Sequence, residues 1–424
     1  MLDIKKIRLE PEQYRAGLRA KKAEDMLDKL LELDEQRRKY ITGADELKSL
    51  RNTVSKEIGE LKKAKQPADE KIKKMREVGG QIKSLDGDIK DIEDKINQVI
   101  TTFPNIPHKS VKVGQSEEDN VEVSKWGKKP EFDFPLMDHL DLAENLEILD
   151  FQRASKISGS GFPLYMGAGA RLERALINFM LDFHTEKHGY REVFPPFLVS
   201  REAAFGTGQL PKLEEDMYLC VKDDLFLIPT AEVPVTNIHR DEILQERDLP
   251  LKYSAFSGCF RREAGSYGKD TRGLSRVHQF NKVEMVQFCT PETSYSVHEQ
   301  LLKDAEEILQ SLGLHYRILE LCSGDLSFAA AKCYDIEVWA PGSEKYFEVS
   351  SVSNFEDFQA RRANIRYRRT EDNKVDFVHT LNGSGVATPR LLIALLETYQ
   401  TDEGSVVIPE ILHKYTGFNI IEKY

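Results

Sequence analysis

Apolar residues recur every three or four positions through residues 26–103, a spacing that keeps them on one face of an α-helix. They form two ladders, and Pro67, which cannot continue a helix interior, lies between them. The pattern predicts two long helices folded into an antiparallel coiled-coil hairpin. Each helix would have about 38 residues and extend roughly 55–60 Å, so the hairpin is expected to project into solvent. The first ladder is Met26, Leu30, Leu33, Arg37, Tyr40, Ala44, Leu47, Arg51, Val54, Ile58 and Leu61, and the second is Met75, Val78, Ile82, Leu85, Ile89, Ile92, Ile96 and Val99.

The pattern changes after the hairpin. Residues 105–122 show no helical period and are predicted to be a linker between an N-terminal domain, 1–104, and a second domain, 123–424. In the second domain, strands that follow one another across short turns indicate an antiparallel sheet and an α+β fold. The predicted helices are 169–190, 291–313 and 388–400, and the predicted strands are 191–200, 225–239, 253–263, 276–288, 333–341 and 345–354.

Composition narrows the class of protein. A net charge of −11 argues against a protein coated in nucleic acid, although it leaves room for a local basic patch. The five cysteines form no Cys-x-x-Cys pair, which suits a reducing compartment. No apolar run has the length of a membrane span, and the first residues do not resemble a signal peptide. A cytoplasmic location is therefore expected.

The hairpin carries an uneven charge. Between Arg51 and Lys83 there are ten basic residues and five acidic ones, within a chain that is acidic overall. A projecting basic tip suits the phosphates of a nucleic acid, because neutralised contacts release counterions. A protein partner is a second interpretation. A third is that the charges only solvate the helix faces outside the seam.

A second basic stretch, "CFRREAGSYGKDTRGLSRVHQFNKVEM" (259–285), lies between two predicted strands. Alternate strand residues share a face, so Arg261 would lie beside Glu263. On the partner strand one face would carry Arg276, His278, Phe280, Lys282 and Glu284. Guanidinium groups suit phosphate, an aromatic ring can stack on a base, and a carboxylate can hold an ammonium or hydroxyl group. The alternative is a solvated face with ordinary cross-strand ion pairs.

No Walker sequence is present, so a nucleotide would be bound by side chains of an antiparallel sheet. In "NGSGVATPR" (382–390), the glycines allow the backbone to approach a ligand closely. Thr388 and Pro389 suit the start of a helix, which places Arg390 in its first turn. A cation at this end of a helix is unfavourable unless an anion is bound there.

Three segments resemble the signature motifs of class II aminoacyl-tRNA synthetases. They are "GARLERALINFMLDFHTEKHGYREVFPPFLV" for the first motif, "FRREAGSYGKDTRGLSRVHQFNKVEM" for the second and "NGSGVATPRLLIALLE" for the third. "PTAEVPVT", "EVSSVSN" and the hairpin arm are similar to seryl-tRNA synthetases of the bacterial type. The resemblance implies a class II antiparallel-sheet catalytic domain at 123–424. It also implies a tRNA-binding domain at 1–104 that carries an antiparallel α-helical coiled-coil arm.

The resemblance also implies a reaction: L-serine is activated with ATP to seryl-adenylate and transferred to the 3′ end of tRNA(Ser), with tRNA(Sec) as an additional candidate acceptor. Arg261, Arg390 and Glu348 would be catalytic, and Glu348 and Ser351 would hold Mg²⁺. On a regular strand those two residues would face opposite ways, so a β-bulge or a water-mediated contact is expected. ATP would be bound by Arg261, Arg262, Glu263, Val277, Phe280, Glu348, Val349, Ser350, Ser351 and Arg390. Serine would be bound by Thr230, Ala231, Glu232, Arg261, Glu284 and Ser384.

The apolar first-motif helix and the paired prolines after it suggest a homodimer, with an interface that includes Leu172, Ala175, Leu176, Phe179 and Met180. Two other functions stay open at this point. A synthetase-like paralogue could load amino acids onto carrier proteins or only bind ligands, but it would have no use for a long phosphate-directed arm. A coiled-coil scaffold would explain residues 26–103 and leave the motifs of 230–390 without a role.

Overall fold

The computed structural model describes residues 1–264 and 272–423. The chain divides into two compact units, Met1–Pro104 and Asn105–Tyr424. Among the described residues, no helix is both long and apolar enough to cross a membrane.

The first unit is helical and contains the predicted hairpin. Its helices are α1 (Ile4–Leu9), α2 (Pro11–Ala20), α3 (Leu27–Lys63) and α4 (Asp69–Ile100). Helices α3 and α4 pack against each other, and the turn between them contains Pro67. Every position of the second apolar ladder is buried or half-buried, which confirms the seam. Cross-helix ion pairs flank it, between Lys48 and Asp86 at 2.9 Å and between Lys71 and Glu57 at 2.5 Å.

The buried carboxylate of Asp34 explains why one position of the first apolar ladder, Arg37, is charged. Asp34 is fully buried although it lies off the apolar ladder. Its carboxylate accepts hydrogen bonds from Arg8 at 2.8 Å, Arg37 at 2.7 Å and Arg38 at 3.2 Å. A buried carboxylate requires such partners, so Arg37 occupies its ladder position to pair with Asp34.

The second unit combines short helices with several sheets. Its helices are α5 (His139–Asn145), α6 (Phe151–Ser158), α7 (Gly167–Glu186), α8 (Arg201–Thr207), α9 (Glu232–Thr236), α10 (Ser294–Ser311), α11 (Phe358–Ala363), α12 (Thr388–Thr398) and α13 (His413–Thr416). Its strands are β1 (Val121–Trp126), β2 (Arg191–Glu192), β3 (Leu198–Ser200), β4 (Leu219–Cys220), β5 (Leu225–Leu227), β6 (Ile243–Gln245), β7 (Leu251–Phe260), β8 (Gln279–Cys289), β9 (Tyr316–Glu320), β10 (Lys332–Ala340), β11 (Lys345–Asn354), β12 (Arg366–Arg368), β13 (Val375–Phe377), β14 (His379–Ala387), β15 (Val406–Val407) and β16 (Ile420–Ile421).

An eight-stranded sheet organises this unit, in the order β1-β9-β10-β11-β14-β8-β7-β2. All neighbours pair antiparallel except β2 and β7, which are parallel. The predicted α+β fold with an antiparallel sheet is therefore confirmed. Helices α7, α10 and α12 contribute to the largest apolar core together with residues of the central strands. Helix α12 is almost wholly buried, and its first turn carries Arg390.

Several predicted elements differ from the structure. Strand β7 ends at Phe260, so Arg261 and Glu263 do not share a strand face, and Glu263 has a φ of +52°. Likewise Arg276 and His278 precede β8, whereas Phe280, Lys282 and Glu284 lie in it as expected. Within the predicted strand 225–239, the part after Leu227 contains helix α9, whose first residue, Glu232, donates its backbone N–H to Thr230 Oγ1 at 3.2 Å.

Two further segments also depart from expectation. The predicted strand 191–200 is split into β2 and β3, since the paired prolines between them cannot donate to a ladder. The predicted linker, 105–122, is attached to the second unit. The Asn105 side chain donates to the carbonyl oxygens of Ala329 at 2.9 Å and Phe355 at 2.8 Å. These buried hydrogen bonds hold the start of the segment in place.

Candidate active site

A cavity of about 650 Å³ in the second unit brings together segments that are far apart in the sequence. Its walls come from the segment after α8, the start of α9, the residues that follow β7, those around the start of β8, and parts of β11, β14 and α12. A volume of this size suits a small-molecule ligand. The site residues expected from the sequence that line it are Thr230, Glu232, Arg261, Glu263, Val277, Phe280, Glu348, Val349, Ser351, Ser384 and Arg390.

Four expected residues are not part of this lining. Ala231 is packed in the apolar core, and Ser350 is buried and donates to the carbonyl oxygen of Ser384 at 2.6 Å. The Arg262 guanidinium carbon lies 5.4 Å from the centroid of the Tyr218 ring. Glu284, the fourth, is fully buried and contacts Thr230. Residues 265–271 of the basic stretch 259–285 lie outside the described residues.

One end of the cavity combines arginine with an aromatic ring. The Arg261 guanidinium carbon lies 5.1 Å from the centroid of the Phe280 ring, and its Nε donates to the carbonyl oxygen of Pro229 at 3.4 Å. A guanidinium group held beside an aromatic face stays available for bidentate contacts with an anion. Glu263, nearby, pairs with Arg276 at 2.6 Å.

Arg390 joins three elements around the same cavity. Its Nε donates to the carbonyl oxygen of Ser275 at 3.1 Å, and its Nη1 donates to the carbonyl oxygen of Glu348 at 2.9 Å. Nη1 also lies 3.4 Å from the Glu348 carboxylate. These contacts hold Arg390, at the start of α12, against the neighbouring strand β11.

Strand β11 contains the bulge that the expected metal ligands require. Ser350 pairs with Ile336 and Glu348 pairs with Glu337, so Val349 is an extra residue on β11. A β-bulge reverses the side-chain alternation beyond it. For this reason Glu348 and Ser351 both line the cavity although they are three residues apart.

Asp335, which the sequence reasoning missed, adds a second carboxylate here. It pairs with Ser351 across β10 and β11. Burial, followed by repulsion from Glu348, raises the pKa of Asp335 well above its usual range. A divalent cation would relieve this repulsion, and carboxylate and hydroxyl oxygens are ligands that suit Mg²⁺. Among the described residues, no group of three or more His, Cys, Asp or Glu side chains could by itself hold a metal ion.

The other end of the cavity is built on two buried carboxylates. Glu284 accepts hydrogen bonds from Thr230 Oγ1 at 2.9 Å and Asn382 Nδ2 at 3.0 Å, and pairs with Lys282 at 2.5 Å. Asn382 Nδ2 also donates to Glu232 at 3.1 Å, so one amide bridges the two carboxylates. Burial, and then repulsion from Glu284, raises the pKa of Glu232 to about 7.

Lys282, Asn382 and Gln359 are site residues to which the sequence assigned no ligand. Lys282 was nevertheless expected on the same strand face as Phe280 and Glu284, and β8 places it there. Asn382 opens the glycine-rich stretch before Arg390. Gln359, which donates to Glu232 at 2.5 Å, lies outside every motif, so nothing in the sequence pointed to it.

One expected ligand-approach glycine has another role. A Cβ on Gly385 would lie 2.4 Å from Nε2 of His184 on α7. The residue is glycine because that ring packs directly on the strand, and Nε2 of His184 lies 3.1 Å from the Gly385 carbonyl oxygen. Helix α7 thereby supports the strand that carries Ser384.

Comparisons with known proteins agree with this arrangement. Residues 218–399 match the model of the tRNA synthetase class II core domain (G, H, P, S and T), and residues 1–107 match that of the seryl-tRNA synthetase N-terminal domain. The chain is 57% identical over 417 residues to the serine–tRNA ligase of Geobacter sulfurreducens, which covers 98% of this chain and 99% of the relative.

Two solved structures are similar along nearly their whole length. Seryl-tRNA synthetase from Pyrococcus horikoshii, complexed with ATP, has a TM-score of 0.94 and 41% identity over 100% of both chains. Cytoplasmic serine-tRNA ligase from Naegleria fowleri, in complex with AMP, has a TM-score of 0.87 and 31% identity over 97% of this chain and 96% of that one. On the two domain matches and these full-length similarities, this chain belongs to the seryl-tRNA synthetase family.

Proposed function

We propose that this chain is a serine–tRNA ligase, which uses ATP to activate L-serine as seryl-adenylate and transfers the seryl group to the 3′ end of tRNA(Ser). The observation that carries the proposal is a single cavity with an arginine–aromatic end and a paired-carboxylate end. Relatives that match the whole chain are named serine–tRNA ligases, and a similar structure is complexed with ATP.

ATP would occupy the arginine–aromatic end. Phe280 would stack beneath the adenine, with Glu263 and Val277 at its edge, and Arg390 would hold the γ-phosphate. Arg390 is held by Glu348 in this structure, so the phosphate would replace the weaker 3.4 Å contact with that carboxylate. Arg261 would contact the α-phosphate, where negative charge increases as the acyl–phosphate bond forms.

Serine would occupy the carboxylate end. Glu232 would pair with its ammonium group and Arg261 with its carboxylate, while Ser384 lines the same end. The side-chain hydroxyl would be recognised by Thr230 and by Glu284 directly beneath it. A site that hydrogen-bonds a substrate hydroxyl rejects the analogue lacking it by roughly 10⁴, since buried polar groups would be left unpaired.

The reaction would then need no covalent enzyme intermediate. The serine carboxylate attacks the α-phosphorus in line and releases pyrophosphate. The ribose hydroxyl at the 3′ end of the tRNA then attacks the acyl carbon of seryl-adenylate, loses its proton and releases AMP. Positioning of the reactants and neutralisation of their charges would supply the rate enhancement. Mg²⁺ would be held by Glu348 and Ser351, with Asp335 beside them, and when bound it neutralises charge on phosphate oxygens.

Serine-dependent ATP–pyrophosphate exchange tests the proposal. We expect exchange with L-serine and a specificity for alanine lower by about 10⁴. A carrier-protein ligase would pass this assay but fail to charge tRNA(Ser), and a coiled-coil scaffold would fail both. Absence of exchange with every amino acid would contradict the assignment.

We also propose a homodimer, with an interface beside the paired prolines that the sequence suggested but without the helix residues that it suggested with them. Leu172, Ala175, Leu176, Phe179 and Met180 are all buried in the chain's own core, so they do not form a free surface. Phe194, next to the paired prolines, is instead 74% exposed. Its ring lies 5.8 Å from that of Phe197 and 6.2 Å from that of Phe256. An exposed aromatic ring that rests on two half-buried ones, Phe197 and Phe256, is a candidate contact for a second subunit.

Sedimentation would check the dimer. The wild-type chain should sediment at twice its 48.5 kDa mass, and Phe194→Glu should shift it towards the monomer. Val221→Glu is the matched control, since Val221 is 81% exposed but lies beyond the end of β4. An active wild-type monomer, or equal effects of both variants, would refute this interface.

The remaining assignments rest on the sequence and the resemblance. The N-terminal unit would bind tRNA through its arm, and tRNA(Sec) as a second acceptor stays a prediction. A cytoplasmic location is supported by five free cysteines, which suit a reducing compartment.

A further inference from the structure

Gln359 lies on α11, away from all the sequence motifs, yet its side chain contacts the carboxylate end of the cavity. It is completely buried. Its Nε2 donates to Glu232 Oε1 at 2.5 Å and to the carbonyl oxygen of Thr207 at 3.2 Å. Its Oε1 accepts a hydrogen bond from Thr380 Oγ1 at 2.7 Å. Every polar atom of this amide therefore has a partner.

These partners determine which way the amide faces. The carbonyl oxygen of Thr207 can only accept, so it must meet the NH₂ group of Gln359. An amide turned the other way would place its oxygen against both that carbonyl oxygen and the Glu232 carboxylate. The Thr380 hydroxyl is free to donate to the remaining oxygen. The surroundings thus aim an N–H donor at Glu232 from a fixed direction.

The second oxygen of Glu232 is held in a similar way. Asn382 Nδ2 donates to Oε2 at 3.1 Å, so each oxygen of the carboxylate receives one amide donor. Glu232 is only 7% exposed, but it lines the cavity. A carboxylate held at both oxygens keeps one orientation towards an incoming cation.

The charged groups that face Glu232 affect its ionisation, and the hydrogen bond from Gln359 opposes the repulsion from Glu284. Glu284 on β8 repels its negative charge, whereas Lys282 on β8 and Arg261 after β7 attract it. Burial and Glu284 together raise the pKa of Glu232 to about 7, and the Gln359 hydrogen bond is the largest influence in the opposite direction. Glu232 must be ionised to pair with an ammonium group at neutral pH.

We propose that Gln359 is a positioning residue for the amino acid substrate: its amide orients the Glu232 carboxylate and favours the charged form that pairs with the ammonium group of serine. Thr380 acts one step further away by orienting the amide of Gln359. This inference rests on the proposed serine–tRNA ligase function and adds two residues that do not themselves line the cavity.

Gln359→Met tests the proposal, because methionine has a similar volume and lacks the amide. In the ATP–pyrophosphate exchange assay we expect KM for serine to rise about tenfold or more and KM for ATP to change less than about twofold. Removing the donor raises the pKa of Glu232, so the acid limb of kcat/KM for serine should move from near pH 7 to higher pH by about one unit.

Two further variants separate positioning from a structural role. Thr380→Val removes only the hydrogen bond from Thr380 Oγ1 that orients the Gln359 amide, and it should raise KM for serine about threefold. If Gln359→Met does not fold, this variant tests the positioning role in its place. Asn237→Ala is the matched control, since the Asn237 amide ties α8 to α9 through the carbonyl oxygens of Ala203 and Val233 without touching Glu232. Asn237→Ala should leave the acid limb of the kcat/KM profile for serine at the wild-type pH.

The outcomes are distinct. A rise in KM for serine with a displaced acid limb supports the proposal. Equal changes in KM for serine and ATP, or an acid limb that stays where it is in the wild type, would overturn it and leave Gln359 a structural residue. A wild-type chain without serine-dependent exchange would instead refute the proposed function.

Discussion

Arg261→Ala should reduce serine-dependent ATP–pyrophosphate exchange by about 10³ or more. Arg261 belongs to the arginine–aromatic end of the cavity, since its guanidinium lies over Phe280, and its charge also acts on Glu232 at the carboxylate end. The same side chain would therefore bind the serine carboxylate and stabilise the charge on the α-phosphate. Its removal should lower kcat as well as raise KM for serine, because the second interaction strengthens in the transition state.

The neighbouring arginine provides a matched control for this experiment. Arg262 has the same side chain, but it lies against Tyr218 and does not line the cavity. Arg262→Ala should change exchange by less than about tenfold. Arg261→Lys should recover only part of the lost rate, because a lysine cannot make bidentate contacts. If the Arg261 and Arg262 variants lost activity equally, general charge would explain the effect and the assigned role of Arg261 would be wrong.

The sequence could predict the hairpin because its signal is long and local. Apolar positions that recur every three or four residues over two helices indicate a helical hairpin. The polar positions on the ladders are Arg37, which pairs with the buried Asp34, and Arg51. The order of strands in the second unit was less accessible. Strand β14 lies between β11 and β8, and such pairing depends on contacts between distant residues rather than on local propensity.

The site was partly predictable for a related reason. Arg261, Phe280 and Arg390 lie in stretches whose composition is unusual for their surroundings, so they can be selected by chemistry alone. Asp335 and Gln359 have no such signal, because each acts through a partner supplied by another segment. The bulge at Val349 was predictable only in part. The spacing of Glu348 and Ser351 indicated that the strand contains an irregularity, but only the structure shows that the extra residue is Val349.

Removing the hairpin should separate the two half-reactions. Deletion of residues 44–85, with α3 and α4 joined by a short glycine linker, should lower aminoacylation of tRNA(Ser) by about 10³. Serine-dependent exchange should stay within about threefold of the wild type, because the cavity lies wholly in the second unit. Equal loss of both activities would contradict an arm devoted to tRNA, and unchanged aminoacylation would show that the arm has another partner.

A charge variant that keeps the helices intact identifies the physical cause. All ten basic side chains between Arg51 and Lys83 are exposed, which places them where phosphates could reach them. Changing Lys62, Lys63, Lys65, Lys73 and Lys74 to glutamine should raise KM for tRNA at least tenfold and make it less dependent on salt, since fewer counterions are released. Glutamine is a good helix former, so the hairpin should persist.

The matched control changes Glu60, Glu70 and Glu77 to glutamine on the same arm and should not weaken tRNA binding. If both sets of variants raised KM equally, damage to the hairpin would be the cause and the electrostatic account would fail.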